Sequence, residues 1–187
     1  MKKEIWGFYP PPIGGISIYC KRLAEKLHAI DESVIMRDFA QSGYESECVM
    51  RVKNRILEFL KLPFVPKRLI HAQFTNFYLL MMLYLFGWKH DIVLTLHNRR
   101  IVLLDGWKRK VVNQLFRRAK YIIYNDPAYT ALLREKYDID SGKIVLLPTY
   151  MAPEQSEVKG LTTELEEFIN KHEYSISSNA HRVINNV

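Results

Sequence analysis

The amino-acid sequence predicts an α/β fold, a Rossmann-like doubly wound parallel sheet with helices on both faces. Two observations point there. Short runs rich in Ile, Val, Leu and aromatic residues alternate with segments whose apolar residues recur at three- and four-residue steps, and the alternation continues over residues 1–150. Strands alternating with helices of this length form right-handed βαβ units, whose parallel sheet is covered on both faces. A chain of 187 residues, 48% hydrophobic and 25% charged, is also long enough to bury a core of that kind.

In chain order, Ile5, Trp6, Gly7, Phe8 and Tyr9 form the first predicted strand, ended by Pro10, Pro11 and Pro12 and then by Gly14 and Gly15. Ile16, Tyr19, Cys20, Leu23 and Leu27 line one face of a helix whose other face carries Lys21, Arg22, Glu25 and Lys26. Val34, Ile35 and Met36 make a second strand. After a polar loop at 40–47, Val49, Val52, Ile56, Phe59 and Leu60 read as the apolar face of a second helix, which Pro63 and Pro66 end. Residues 69–72 make a third strand, 77–88 its crossover helix, and 91–96 a fourth strand enriched in β-branched residues.

A helix over 107–118 then leads to a strand at 121–124. Pro127 suits the first turn of a helix reaching about Tyr137, since its missing amide has no partner to lose there, and 144–147 closes the series. Beyond Pro148 the pattern changes. A polar stretch at 152–160 precedes an amphipathic helix with Leu161, Leu165, Phe168 and Ile169 on one side, and 175–180 reads as the start of another strand. The expected division is a Rossmann-like domain at 1–150, followed at 151–187 by a linker, a helix and the start of a truncated second domain.

The net charge of +7, from 27 Lys and Arg against 20 Asp and Glu, favours anionic partners: phosphates, nucleic acid or an acidic membrane surface. The charged opening Met1, Lys2, Lys3, Glu4 leads into an apolar run broken at Pro10, unlike a secretory signal, so a cytoplasmic chain is expected. Cys20 and Cys48 are too few and too unpatterned for a metal site or a disulfide framework. The longest apolar run, 77–88, is shorter than the roughly 20 residues a membrane-spanning helix needs, and reads as a buried or interfacial helix.

With a strand order of 3-2-1-4-5-6, the loop after the first strand and the loop after the fourth converge on the crevice where open α/β sheets bind ligands. The first loop holds Gly14 and Gly15, the second His97, Asn98 and Arg99. Glycine permits positive φ and lets a phosphate approach the amides of a helix N-terminus. A turn that only reverses the chain explains the pair equally well, and Gly14-Gly15-Ile16-Ser17-Ile18-Tyr19 is not the dinucleotide fingerprint. His97, at the carboxyl end of a strand, could polarise a substrate hydroxyl or bind a sugar or phosphate. His71 reads instead as a core residue supporting its neighbours. Arg99 and Arg100 offer charge for a diphosphate, Arg99 being the preferred candidate. Arg51, Lys53, Arg55, Lys61, Lys67 and Arg68 surround Ile56, Leu57, Phe59 and Leu60. That is the pattern of a segment docking on an anionic membrane, or of an ordinary helix packed on the sheet.

Tyr9-Pro10-Pro11-Pro12-Ile13-Gly14-Gly15-Ile16, followed by a helix ending Leu23-Ala24-Glu25-Lys26-Leu27, resembles the opening of family-4 retaining glycosyltransferases of the GT-B fold. The likeness extends in order to the strand 92–97 ending Thr95-Leu96-His97, to the segment 119–125, and to the Lys143-Ile144 strand ending at Pro148. It covers about residues 4–150. It implies the N-terminal, acceptor-side half of a glycosyltransferase, with Gly14 and Gly15 near the donor diphosphate and His97 near the transferred sugar. It implies no cofactor and no metal: the nucleotide-sugar is a co-substrate and the acceptor is a glycan or lipid-linked sugar, as in bacterial-type polysaccharide biosynthesis.

Two departures qualify the likeness. Pro148-Thr149-Tyr150-Met151-Ala152 stands where the family has Pro-Asn-Gly-Val-Asp, and the donor-binding second domain is expected to be missing, supplied by a separate chain or lost, leaving this chain inactive alone. The competing reading is a non-catalytic module docking on a protein or membrane. A nucleic-acid partner is not expected, because no nucleic-acid motif accompanies the charge.

Overall fold

The computed structural model describes residues 1–40, 43–124, 126–147, 151 and 162–171. The chain divides into two compact units, Met1–Met151 and Ala152–Val187. The first holds β1 (Lys3–Gly7), α1 (Gly15–Ile30), β2 (Val34–Asp38), β3 (Val49–Arg51), α2 (Arg55–Leu60), β4 (Leu69–Ala72), α3 (Phe77–Phe86), β5 (Asp91–Leu96), α4 (Gly106–Arg118), β6 (Tyr121–Tyr124), α5 (Pro127–Lys136) and β7 (Ile144–Leu146). Its seven strands pair only in parallel, in the order β3-β2-β1-β4-β5-β6-β7. The expected Rossmann-like α/β fold is present. In the second unit the described residues form α6 (Thr163–Asn170). The strand expected at 175–180 and the linker at 148–150 lie outside the described residues.

Neighbouring residues of β1 face opposite layers. Ile5 joins Cys20, Leu23 and Ala24 of α1, whereas Trp6 joins Phe59 of α2, Leu80 and Leu83 of α3, and Phe116 of α4. Two residues on one strand thus serve two cores, the period-2 consequence of a sheet buried on both sides. Trp6 anchors the larger core, its ring 5.1 Å from Phe39 and 5.2 Å from Phe59. Beneath it Glu4, 2% exposed, accepts hydrogen bonds from Trp6 Nε1 at 2.9 Å, Arg68 at 2.6 Å and Arg37 at 3.3 Å. A buried carboxylate is tolerable only when paired in this way.

One predicted element is corrected. The helix expected from Val49 begins only at Arg55, and Val49–Arg51 is instead the edge strand β3. Val49, Val52, Ile56 and Phe59 fall at helical spacing by coincidence across a strand, a turn and a helix. The true start is chemical: the Asn54 side chain accepts a hydrogen bond from the Leu57 amide at 3.1 Å, satisfying one of the donors that a helix's first turn leaves unpaired.

The additional strand changes the topology. The strand beside β1 is 69–72, not 91–96, so the sheet reverses direction between β1 and β4 and β5 lies one strand further out. The crevice must be built from the loops after β1 and β4, with β5 reaching it from behind.

Candidate functional site

β1 and β4 end side by side, with the Gln73 amide donating to the Trp6 carbonyl at 2.7 Å. Gly7 closes this junction. A Cβ there would lie 2.9 Å from Cys20 Sγ and 3.1 Å from Gln73 Cβ, so only glycine lets α1 and the segment after β4 approach β1 this closely. On the other flank, the Asp38 carboxylate accepts the amides of Tyr9 at 2.9 Å and Ala40 at 2.8 Å, fixing how the chain leaves β1 and β2.

Beyond the prolines, Gly14 caps α1. Gly14 is extended at φ −165°, a conformation open to any residue, and the described glycines with positive φ are Gly43 and Gly106. The local turn is held instead by Ser17, whose Oγ accepts the Gly14 amide at 2.9 Å and faces the Pro12 carbonyl at 2.7 Å. A Cβ on Gly15 would meet nothing within 4 Å, and one on Gly14 only Ser17 Oγ at 4.0 Å. Neither backbone nor packing demands glycine at these positions. What the pair provides is open space at the N-terminus of a 16-residue helix with no acidic residue in its first turn, a place favourable to an anion.

His97 reaches the same region through a chain of polar contacts. Its Nε2 donates to Gln73 Oε1 at 2.8 Å, and Gln73 Nε2 donates to His71 Nε2 at 2.9 Å. The buried Thr95 hydroxyl lies 2.7 Å from the same His71 nitrogen. With Gln73 so oriented, His97 carries its proton on Nε2 and His71 on Nδ1. Burial pushes both imidazoles from 6.5 down to about 4, His71 further disfavoured as a cation by His97 beside it. Both rings are therefore neutral at pH 7. A neutral imidazole can hydrogen-bond but brings no charge to pair with an anion.

Tyr19 of α1 meets the His97 ring edge-on, 5.1 Å between centroids at 70°. That contact joins the wall carrying the diglycine loop to the wall carrying His97.

An open cavity of about 340 Å³ adjoins this network, lined by Phe8, Ile16, Gln73, Thr75, Asn98 and Arg100 among others. Asn98 donates to Thr75 Oγ1 at 2.6 Å and accepts the Arg100 amide at 3.0 Å, which starts the 3-10 turn Arg99–Leu103. Arg99 is directed elsewhere: it pairs with Asp126 at 3.0 Å and lies 3.8 Å above the Tyr129 ring. The arginine lining the cavity is Arg100. Gln73 and Tyr19 are the functional candidates that sequence reasoning missed; Gln73 directly follows the strand that pairs with β1, visible once β3 is recognised.

A second cavity, about 140 Å³, is lined by Arg37, Glu58, Lys61 and Arg68, but its arginines are already paired with Glu4. No group of three or more His, Cys, Asp or Glu residues able to hold a metal occurs among the described residues, nor any helix long and apolar enough to cross a membrane. Cys20 and Cys48 are free thiols.

The fold defines the class, a Rossmann-like α/β domain, and an open cavity of mixed apolar and polar lining adjoins its topological switch point. The chain matches no protein-family model and no curated protein.

Proposed function

We propose that this chain is the acceptor-side domain of a nucleotide-sugar glycosyltransferase of the GT-B type, working in the cytoplasm on a glycan or lipid-linked acceptor. The observation that supports the reading is the meeting of His97 with Tyr19 of α1 and with Gln73 after β4, near the open diglycine start of α1. Each feature suits sugar transfer. A neutral imidazole whose Nδ1 accepts a hydrogen bond can orient a hydroxyl of the transferred sugar without attracting water-borne anions. An open helix N-terminus can take the charge that builds on the leaving diphosphate.

In this reading Gln73 positions His97, Gly14 and Gly15 admit the diphosphate, and the Asn98 and Arg100 side of the cavity receives the acceptor. The nucleotide-sugar is a co-substrate, no metal takes part, and a second Rossmann-like domain, in the same or another polypeptide, supplies the remaining donor contacts.

The test is transfer from a panel of nucleotide sugars, using the longest polypeptide its gene encodes and, separately, this chain mixed with any companion donor-domain chain. Transfer or slow donor hydrolysis supports the proposal. Inactivity in both formats, with no nucleotide or saccharide binding, leaves the docking-module reading, which the exposed apolar surface of α2 favours.

A further inference from the structure

We propose that the cavity lined by Arg37, Glu58, Lys61 and Arg68 is a binding site for a small free oxyanion of the phosphate type. It measures about 140 Å³, and Leu62 and Val65 complete its lining. A water occupies about 30 Å³ in the liquid, so the cavity has room for about five heavy atoms, the count of a tetrahedral oxyanion. Sites for larger organic ligands begin at roughly 300 Å³, which excludes a nucleotide here.

Charge gives the sign of the ligand. Arg37, Lys61 and Arg68 line the cavity against Glu58, and Glu4, paired with both arginines, is the second acid, so one positive charge is left over.

The acids leave most of the donors unused. Arg68 gives Glu4 one N–H at 2.6 Å and Arg37 gives it one at 3.3 Å. Glu58 lies 3.6 Å from Arg37 and 3.8 Å from Lys61, in both cases beyond hydrogen-bond length. Each guanidinium carries five N–H donors. Nε of Arg37 is shut off from solvent without a hydrogen-bond partner, a state that buried donors rarely keep. Arg37 is a half-used fork, which a small rotation turns onto two oxygens of an oxyanion, the geometry that arginine favours.

The Lys61 side chain, 66% exposed, opens the cavity to water on one side, whereas those of Arg37 and Arg68 are 14% and 12% exposed. An entering ion therefore meets poorly screened charge. This cavity shares no lining residue with the one beside Gln73, and the inference stands whether or not the domain serves sugar transfer.

The experiment titrates inorganic phosphate into the chain at pH 7 and constant ionic strength, reading the ¹⁵Nε–Hε resonance of Arg37 together with Tm. Saturable movement of that resonance is expected, with a Tm that climbs as phosphate exceeds its Kd. Arg37→Lys keeps the charge but loses the fork, and should weaken binding about tenfold. Lys61→Gln, at an exposed position, should weaken it about two- to fivefold. Glu58→Gln should strengthen binding about threefold or more, because Arg37 and Lys61 lose a competing acid; a merely structural ion cluster would show no such gain. Circular dichroism should show each variant folded. The proposal is overturned if phosphate leaves the Arg37 resonance in place, if chloride raises Tm equally, or if Glu58→Gln and Lys61→Gln leave the affinity unchanged. Movement confined to the amides of residues 14–17 would also overturn it, while supporting a phosphate at the start of α1.

Discussion

His97 Nε2 donates to Gln73 Oε1 across 2.8 Å, so the tautomer of the histidine is set by an amide on the adjacent strand end. Gln73 is fully buried, and no water competes for the contact. Gln73→Leu should release this control: imidazole ¹⁵N spectra of His97, showing a single Nε2-protonated form in the parent, should become a mixture. Leaving two imidazoles without their partner should also cost about 1–3 kcal/mol of stability, read from denaturant unfolding. A spectrum unchanged by the substitution would remove Gln73 from its positioning role.

The same burial makes stability depend on pH. His71 and His97 ionise near 4 in the folded chain against 6.5 when exposed, so below 6.5 the unfolded state binds more protons. Stability should be level above 6.5, fall as pH drops from 6.5 towards 4, and lose in total a few kcal/mol from this pair. Thermal unfolding across that range, for the parent and for His97→Gln, checks the sign: the variant should show the shallower decline.

Gly7 and Gly15 should respond in opposite ways to alanine. At Gly7 the new methyl meets Cys20 Sγ at 2.9 Å and Gln73 Cβ at 3.1 Å, so Gly7→Ala should destabilise by about 1–3 kcal/mol. At Gly15 it meets nothing within 4 Å, so Gly15→Ala should leave stability unchanged or raise it by up to about 1 kcal/mol. If the diglycine serves a ligand, that stable variant should nonetheless bind nucleotide-sugar more weakly. Calorimetric Tm values and one titration decide the matter.

Glu4 holds two arginines beneath the core, with Arg68 at 2.6 Å and Arg37 at 3.3 Å. Glu4→Gln removes the countercharge while leaving both cations partly buried, and should cost about 3 kcal/mol. Urea unfolding with an unchanged slope is the expected form of the result; a loss below ~0.5 kcal/mol would place the pair among ordinary surface contacts.

The α/β class was legible because alternation of apolar runs and amphipathic segments is a property of many residues at once, robust to error in any one. Element starts were less legible. Val49 to Phe59 fit a helix by spacing alone, and only the Asn54 cap, a single side chain, divides strand from helix. That local error moved the switch point by one strand. His97 was placed at the carboxyl end of its strand, which the alternation alone sets, and there it meets Gln73 and Tyr19. Those two were not legible: the first needs the true neighbour of β1, the second a contact between residues 78 positions apart. The choice of Arg99 over Arg100 turns on Asp126 and Tyr129, which capture Arg99 from a different βα unit.

The most direct measurement of the central claim compares sugar transfer by the parent and by His97→Ala, both in the longest polypeptide the gene encodes. The account predicts transfer in the parent and a loss of about 100-fold or more in the variant, with Tm and circular dichroism preserved. Near-normal turnover in His97→Ala, or a parent that neither transfers nor hydrolyses any nucleotide-sugar, would contradict it.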